Sequence, residues 1–152
     1  MSDVLEIRAR PDATPLALRH ADLQALPASE QVPDVGALVP GRRGRAVRLA
    51  ALLERIGAGA GGRHAHVASR DPSFAVSVPL EELAGALVVY ELGGAPLPPA
   101  QGGPFRLLVP GHPDECVHVK QLARLELADV PGRDTRPTDD AAHAALHKKS
   151  KP

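Results

Sequence analysis

The chain has 152 residues, in which 18 basic side chains balance 18 acidic ones and cysteine occurs once. Balanced charge leaves no long-range field to attract nucleic acid or an anionic membrane, so neither is expected as a partner. A single cysteine excludes an internal disulfide and the zinc modules that need two or four cysteines.

The composition predicts one domain built from short elements. Hydrophobic residues make up 43% of the chain, enough for a core, while 16 prolines and 14 glycines favour stiff turns over long helices. The first residues alternate apolar and polar side chains and lack the apolar run of a signal peptide, which predicts a cytoplasmic protein. We assign residues 1–128 to a single domain and the polar residues 129–152 to a mobile tail.

The first half of the chain predicts two strands and two helices. In the second helix, Leu49, Leu52, Leu53 and Ile56 fall on one face at helical spacing. The predicted elements are a strand at Val4–Arg8, a helix at His20–Leu26, a strand at Gln31–Val39 and a helix at Val47–Ile56.

The second half predicts more strands than helices. A helix is expected to open at Pro79, and a long ordered loop is expected over Leu92–Pro104. Strands are predicted at His64–Ser69, Phe74–Val78, Ala86–Glu91, Phe105–Val109 and Gln121–Leu127. Because strands outnumber helices and do not alternate regularly with them, the fold class is α+β with mixed sheets.

An arginine-rich turn precedes the second helix. Arg42, Arg43 and Arg45 lie in the segment PGRRGRAVR. Guanidinium groups and free N–H groups near the start of a helix suit a phosphate, which predicts a phosphate-binding turn. The alternative is a solvated basic turn without a ligand, because charged turns are usually exposed.

A second cluster of polar groups lies between two predicted strands. His112, Asp114, Cys116 and His118 fall within seven residues and are followed by Lys120. Nitrogen, oxygen and sulfur donors at this density could hold zinc or copper if three or four of them converged. The spacing matches no strong metal signature, so a ligand-facing or merely structural loop is the alternative.

Several of these segments together resemble the molybdopterin-binding domain of the sulfite oxidase family, over roughly residues 15–128. The strongest parts are V-R-L-A-A-L-L at 47–53, G-G-P-F-R-L-L-V-P at 102–110 and V-K-Q-L-A-R-L-E at 119–126. Weaker support comes from A-D-L-Q-A-L-P at 21–27 and E-L-G-G-A-P-L at 91–97.

The resemblance implies an α+β fold of mixed sheets around a pocket for a molybdenum–molybdopterin cofactor, and oxidoreductase activity by oxygen-atom transfer. It implies that the arginines of the turn bind the cofactor's phosphate, and that the polar loop lies beside the pterin or the metal's oxygen ligands. The cofactor-binding residues predicted in this way are Arg42, Arg43, Arg45, His112, His118 and Lys120.

One departure from the family pattern bears on activity. In that family a cysteine shortly before the V-x-L-x-x-L-L helix supplies a thiolate to molybdenum, but the corresponding segment, Val32–Val39, contains no cysteine. Two alternatives therefore stand beside the cofactor-binding oxidoreductase. One is a non-catalytic module of the same fold that binds a small anion or a protein partner, and the other is a small metal-binding protein that uses His112, Cys116 and His118.

Overall fold

The computed structural model describes residues 4–57 and 63–136. Ten short strands and two short α-helices make up the regular structure of these ranges. In chain order they are β1 Leu5–Arg8, β2 Leu16–Leu18, α1 His20–Gln24, β3 Gln31–Val32, β4 Arg45–Arg48, α2 Leu49–Arg55, β5 His64–Ser69, β6 Ala75–Pro79, β7 Leu87–Leu92, β8 Ala95–Pro96, β9 Arg106–Leu108 and β10 Leu122–Ala128.

The strands form two sheets of five. The first sheet has the order β2-β1-β10-β5-β6, in which only β1 and β10 run parallel. In the second, β4 lies on one side of β7, with β3 beyond it, and β8 and β9 pair with the other side of β7. The prediction of an α+β fold with mixed sheets is confirmed.

A shared core holds the two sheets together. Leu5 and Leu125 of the first sheet and Val88 and Tyr90 of the second belong to one buried cluster, which α2 joins through Leu52. β7 is buried on both faces because its alternate residues, such as Val89, enter a second, smaller cluster. This explains the continuous apolar run of β7, since a strand covered on both faces has no polar side.

Two predicted elements of the first half differ from the structure. The strand predicted at Gln31–Val39 ends at Val32, because the Asp34 side chain accepts the N–H of Gly36 (2.9 Å) and starts a 3-10 turn. The helix predicted from Val47 begins at Leu49 instead. The residues before it pair with β7 as a strand, and the helical spacing of the leucines conceals that pairing.

Two predicted elements of the second half also differ from the structure. The helix predicted at Pro79 is a 3-10 turn over Leu80–Leu83. The predicted loop at 92–104 contains β8 and a 3-10 turn at Pro99–Gln101. None of the helices in the described ranges has the combination of length and apolar character that crossing a membrane requires.

Residues 129–136 lie along the free edge of β6. Thr135 donates its backbone N–H to the carbonyl of Ala75 (2.8 Å), and Gly132 donates its N–H to the hydroxyl of Ser77 (2.9 Å). We call residues 129–136 the edge segment. The rest of the predicted tail, residues 137–152, lies outside the described residues.

Candidate functional site

A cavity of about 720 Å³ opens between the turn joining β5 to β6 and the segment that leads into β10. Its volume is within the range of about 300–1,000 Å³ that is usual for small-molecule sites. Four of its lining side chains are basic, and we call it the cationic cavity after them: Arg42, Arg106, His118 and Lys120.

Backbone hydrogen bonds bring two of these cations together. The N–H of Gln121 donates to the carbonyl of Gly102 (2.6 Å), and the N–H of Leu107 donates to the carbonyl of Val119 (3.0 Å). The segment before β10 therefore runs beside β9, which places Lys120 next to Arg106. This pairing joins the G-G-P-F-R and V-K-Q segments, which are far apart in the sequence.

Gly102 allows this close approach. Its φ of +89° belongs to the left-handed region that glycine adopts without strain. A Cβ at this position would lie 3.0 Å from Cδ of Arg106 and 3.2 Å from Cγ of Lys120. Any larger residue would push the two basic side chains aside.

The two arginines of the cavity face one another, and neither is paired with a carboxylate among the described residues. Burial, together with the nearby charge of Arg42, lowers the pKa of Arg106 to about 10. The Nε atom of Arg106 is buried and has no hydrogen-bond partner among the described residues. Within residues 4–57 and 63–136, neither arginine forms a salt bridge. Positive charge and hydrogen-bond donors thus remain available for an anion.

Two carboxylates also line the cavity, but both are exposed to solvent. Asp71 accepts hydrogen bonds from the N–H (2.9 Å) and the hydroxyl (2.7 Å) of Ser73, and these bonds lower its pKa. Glu115 is the other. Because water and salt screen exposed charges, these carboxylates do not neutralise the half-buried Arg106.

His118 offers a hydrogen-bond donor to the cavity. Its Nδ1 atom accepts the backbone N–H of Val109 (3.0 Å), so the proton of the neutral ring lies on Nε2. Burial, followed by the charges of Arg42 and Arg106, lowers the pKa of the ring. At neutral pH His118 is therefore an uncharged N–H donor.

Cys116 also lines the cavity, but it holds its proton. Burial, followed by the charge of Asp114, raises the pKa of the thiol to about 11. A thiol is a poor metal ligand until it loses its proton. The sulfur atom at the cavity wall is therefore a thiol and not a thiolate at neutral pH.

His112, although predicted beside the cofactor, makes its contacts outside the cavity. Its Nδ1 atom accepts the N–H of Asp114 (3.0 Å), so its Nε2 donates to the carboxylate of Glu82 (2.7 Å). Within the described ranges, no three His, Cys, Asp or Glu side chains are grouped as a metal site would require. The geometry thus does not bring His112, Cys116 and His118 together around a metal.

The three predicted arginines of the turn do not all line one cavity. Arg42 lines the cationic cavity, whereas Arg43 and Arg45 line a separate cavity of about 310 Å³ that also contains Asp34 and Glu91. A third, small cavity of about 70 Å³ is lined by Arg42, Arg43 and Arg106 together. The predicted binding of a phosphate by these arginines stays a prediction.

Arg45 belongs to a buried polar network. Its Nε donates to the side-chain oxygen of Gln31 (3.1 Å) and to the hydroxyl of Tyr90 (3.1 Å). The same hydroxyl donates to Gln31 (2.8 Å), whose amide donates to the carbonyl of Leu23 (2.7 Å). These contacts give Arg45 a structural role, and its role in binding the cofactor stays a prediction.

Arg106 is the cavity residue that sequence reasoning missed. It lies within the G-G-P-F-R-L-L-V-P segment that carries the family resemblance, and that segment was the available signal. An isolated arginine in a predicted strand gives no indication of its partners. Only the pairing of residues 102–107 with residues 119–122 brings it to Lys120.

Comparisons with known proteins agree with the sequence resemblance. The family model described as the oxidoreductase molybdopterin binding domain matches residues 43–135. The solved structure of the sulfane dehydrogenase SoxCD from Paracoccus pantotrophus superposes with a TM-score of 0.67 at 22% sequence identity, covering 91% of this chain and 42% of that chain. The chain thus spans less than half the length of that neighbour, and the likeness concerns the fold. A search of curated proteins found no significant match.

Proposed function

The chain belongs to the oxidoreductase molybdopterin-binding domain family, and from this premise we propose that its cationic cavity binds the anionic part of a molybdenum–molybdopterin cofactor. The observation that carries the proposal is the group of basic side chains, Arg42, Arg106 and Lys120, that face the same cavity without a salt bridge among the described residues. Arg42 and Arg106 are partly buried and Lys120 is exposed, and bringing the two partly buried like charges together is unfavourable unless an anion compensates them.

The donor set fits a phosphate group. Arg42 and Arg106 would each donate forked N–H bonds to phosphate oxygens, and Lys120 would add a mobile positive charge. The Nε2–H of His118 would donate a further hydrogen bond at neutral pH without adding charge. The partly buried side chain of Phe74 would supply apolar surface in the same cavity for the ring system.

The donor set does not fit a thiolate-ligated metal. When bound, a molybdenum–pterin group supplies two-electron redox chemistry, which in the family uses a protein thiolate on the metal. Val32–Val39 contains no cysteine, and the thiol of Cys116 is protonated at neutral pH. We therefore propose cofactor binding with little or no oxygen-atom transfer.

A second function rests on the same cavity. A non-catalytic module would use these cations for a small anion such as inorganic phosphate, and the missing thiolate favours this alternative. A cytoplasmic location and a protein partner also remain predictions from the sequence.

Elemental analysis and pterin fluorescence of the full chain, purified from a host that makes the cofactor, distinguish these functions. The cofactor-binding proposal predicts both molybdenum and pterin, a bare anion-binding module gives neither, and a metal-binding protein gives zinc or copper. The variant Arg42→Gln should lose the pterin signal. Arg48→Gln is the matched control, because Arg48 is an exposed arginine of β4 that lines none of the cavities described above. Equal pterin content in both variants would contradict the proposal.

A further inference from the structure

Arg136 lies outside the cationic cavity but contacts the loop that forms part of its wall. Its guanidinium donates through Nη1 to Oδ2 of Asp114 (2.9 Å) and through Nη2 to Oδ2 of Asp134 (2.7 Å) and the carbonyl of Ser77 (3.1 Å). The side chains of Arg136 and Asp114 are only 20% and 17% exposed. A partly buried pair of this kind is screened less than a surface salt bridge.

Asp114 transmits this contact to the cavity wall. Its Oδ1 atom accepts the N–H of Cys116 (2.9 Å) and so caps the 3-10 turn Glu115–Val117, which leads directly into His118. Both Cys116 and His118 line the cavity. We call residues 111–118 the cavity loop. The carboxylate of Asp114 thus holds the loop with one oxygen and Arg136 with the other.

The edge segment that carries Arg136 is itself fixed to the first sheet. His66 forms a hydrogen bond through Nε2 with the carbonyl of Val130 (2.9 Å), and a Cβ at Gly132 would lie 2.6 Å from its ring. Two side chains of the segment accept backbone N–H groups of β6. The hydroxyl of Thr135 accepts from Ala75 (3.2 Å), and the carboxylate of Asp134 accepts from Ser77 (3.3 Å). Arg136 therefore reaches the cavity loop from a fixed position.

We propose that Arg136 is a positioning residue, which, through Asp114, holds the cavity loop and its His118 in the geometry that receives the anion. This inference rests on the proposed function of the cationic cavity. The family match ends at residue 135, so Arg136 stands outside the segment that carries the resemblance. Ordering a loop when a ligand binds costs free energy. A residue that already holds the loop in place reduces this cost and so raises the affinity.

The test is the affinity of the full chain for inorganic phosphate, measured by calorimetry, beside the melting temperature of each variant. Asp114→Asn keeps an oxygen that can cap Cys116 but loses the ion pair, and Arg136→Gln loses the pair from the other side. Each should weaken phosphate binding about 5- to 50-fold, within the usual range of coupling between sites. The double variant should be little weaker than either single variant, because the two act as one pair.

Two variants separate positioning from general stability. Arg55→Gln is the matched control, because Arg55 also forms an ion pair, with Glu30 (2.9 Å), but lies in α2 and lines none of the cavities described above. It should bind phosphate like the unaltered chain. Arg136→Lys restores one charge without the fork and should recover part of the lost affinity.

The outcomes distinguish this inference from the proposed function. If Arg136→Gln and Asp114→Asn lower the melting temperature but bind phosphate unchanged, Arg136 is only structural and the inference is wrong, while the anion site stands. If Arg136→Gln fails to fold, unchanged affinity in Asp114→Asn alone overturns the inference, and weakened affinity supports it. If the unaltered chain binds no phosphate, or Arg106→Gln binds it equally well, the proposed function fails and the inference with it.

Discussion

Arg42 and Arg45 come from the same turn, three residues apart, but they end in opposite environments. Arg45 finds Gln31 and Tyr90 and completes a buried hydrogen-bond network. Arg42 faces Arg106 across a cavity, and no salt bridge within the described ranges neutralises either.

The difference separates two uses of one residue type. A paired arginine in a satisfied network stabilises the fold, and removing it leaves buried groups without partners. An arginine that faces a like charge without a carboxylate partner lowers stability, and a bound anion would compensate that cost. The same contrast predicts which substitutions alter binding and which alter folding.

The largest effect is expected from Arg106→Gln. Loss of a charge-assisted hydrogen bond of about 1.5–3 kcal/mol should weaken phosphate binding roughly 10- to 150-fold. The free energy of unfolding should be unchanged or higher, because one of two like charges is removed. Calorimetry and urea denaturation measure the two quantities on the same preparation. If the variant loses stability but keeps its affinity for phosphate, Arg106 stabilises the fold and does not bind the anion.

A smaller effect, on stability and not on phosphate binding, is expected from Gln31→Leu. Gln31 is 6% exposed, and its loss leaves the carbonyl of Leu23 and the hydroxyl of Tyr90 with fewer partners. The free energy of unfolding should fall by about 1–3 kcal/mol, with phosphate affinity unchanged. Gln24→Leu is the control, because Gln24 is exposed and bonds only Glu91. Equal destabilisation in both variants would argue against the buried network.

A pH-dependent difference is expected between the unaltered chain and His118→Gln. Burial and the two cavity arginines lower the pKa of His118 below the value of about 6.5 in an unfolded chain. Below that pH the unfolded chain binds more protons, so the free energy of unfolding contributed by His118 falls as pH falls and is fully present above about 6.5.

Between pH 7.5 and 5.5, the free energy of unfolding of the unaltered chain should therefore fall relative to that of His118→Gln. Glutamine can accept the N–H of Val109 as His118 does, so the loop geometry is preserved. Saturating phosphate should reduce the change, because an anion favours the protonated ring. A difference that stays constant over this range would show that His118 is not buried beside the arginines.

The smallest effect is expected from Cys116→Ser. Since burial raises the pKa of the thiol to about 11, it is protonated at neutral pH in the absence of a metal, and we expect it to supply no ligand. Molybdenum and pterin content should equal those of the unaltered chain, and alkylation by iodoacetamide should be slow at pH 7.5 and accelerate toward pH 11. Loss of molybdenum in this variant would mean that Cys116 supplies the missing thiolate.

The sequence predicts strands where one periodicity dominates. β5 and β10 were found within one residue of their observed bounds, because each is a clear run of strand-forming residues between turns. β4 was missed because its residues precede Leu49 and Leu52 in a segment whose leucines also match a helix. Whether these residues form a strand depends on their pairing with β7, which is distant in the sequence.

The candidate site was predictable only in part for the same reason. Lys120 and His118 stood out because polar groups crowd one loop, and Arg42 because it lies in a basic turn. Whether each arginine meets a partner depends on Gln31, Tyr90 and Arg106, which come from other parts of the chain. Local sequence cannot distinguish an arginine that is hydrogen-bonded within the fold from one that faces a cavity.

A crystal structure of the full chain, purified from a host that makes the cofactor, tests the central claim most directly. The account predicts density for a phosphate group within hydrogen-bonding distance of Arg42, Arg106 and Nε2 of His118. Density for that phosphate beside Arg43 and Arg45, in the cavity that contains Asp34, would contradict it.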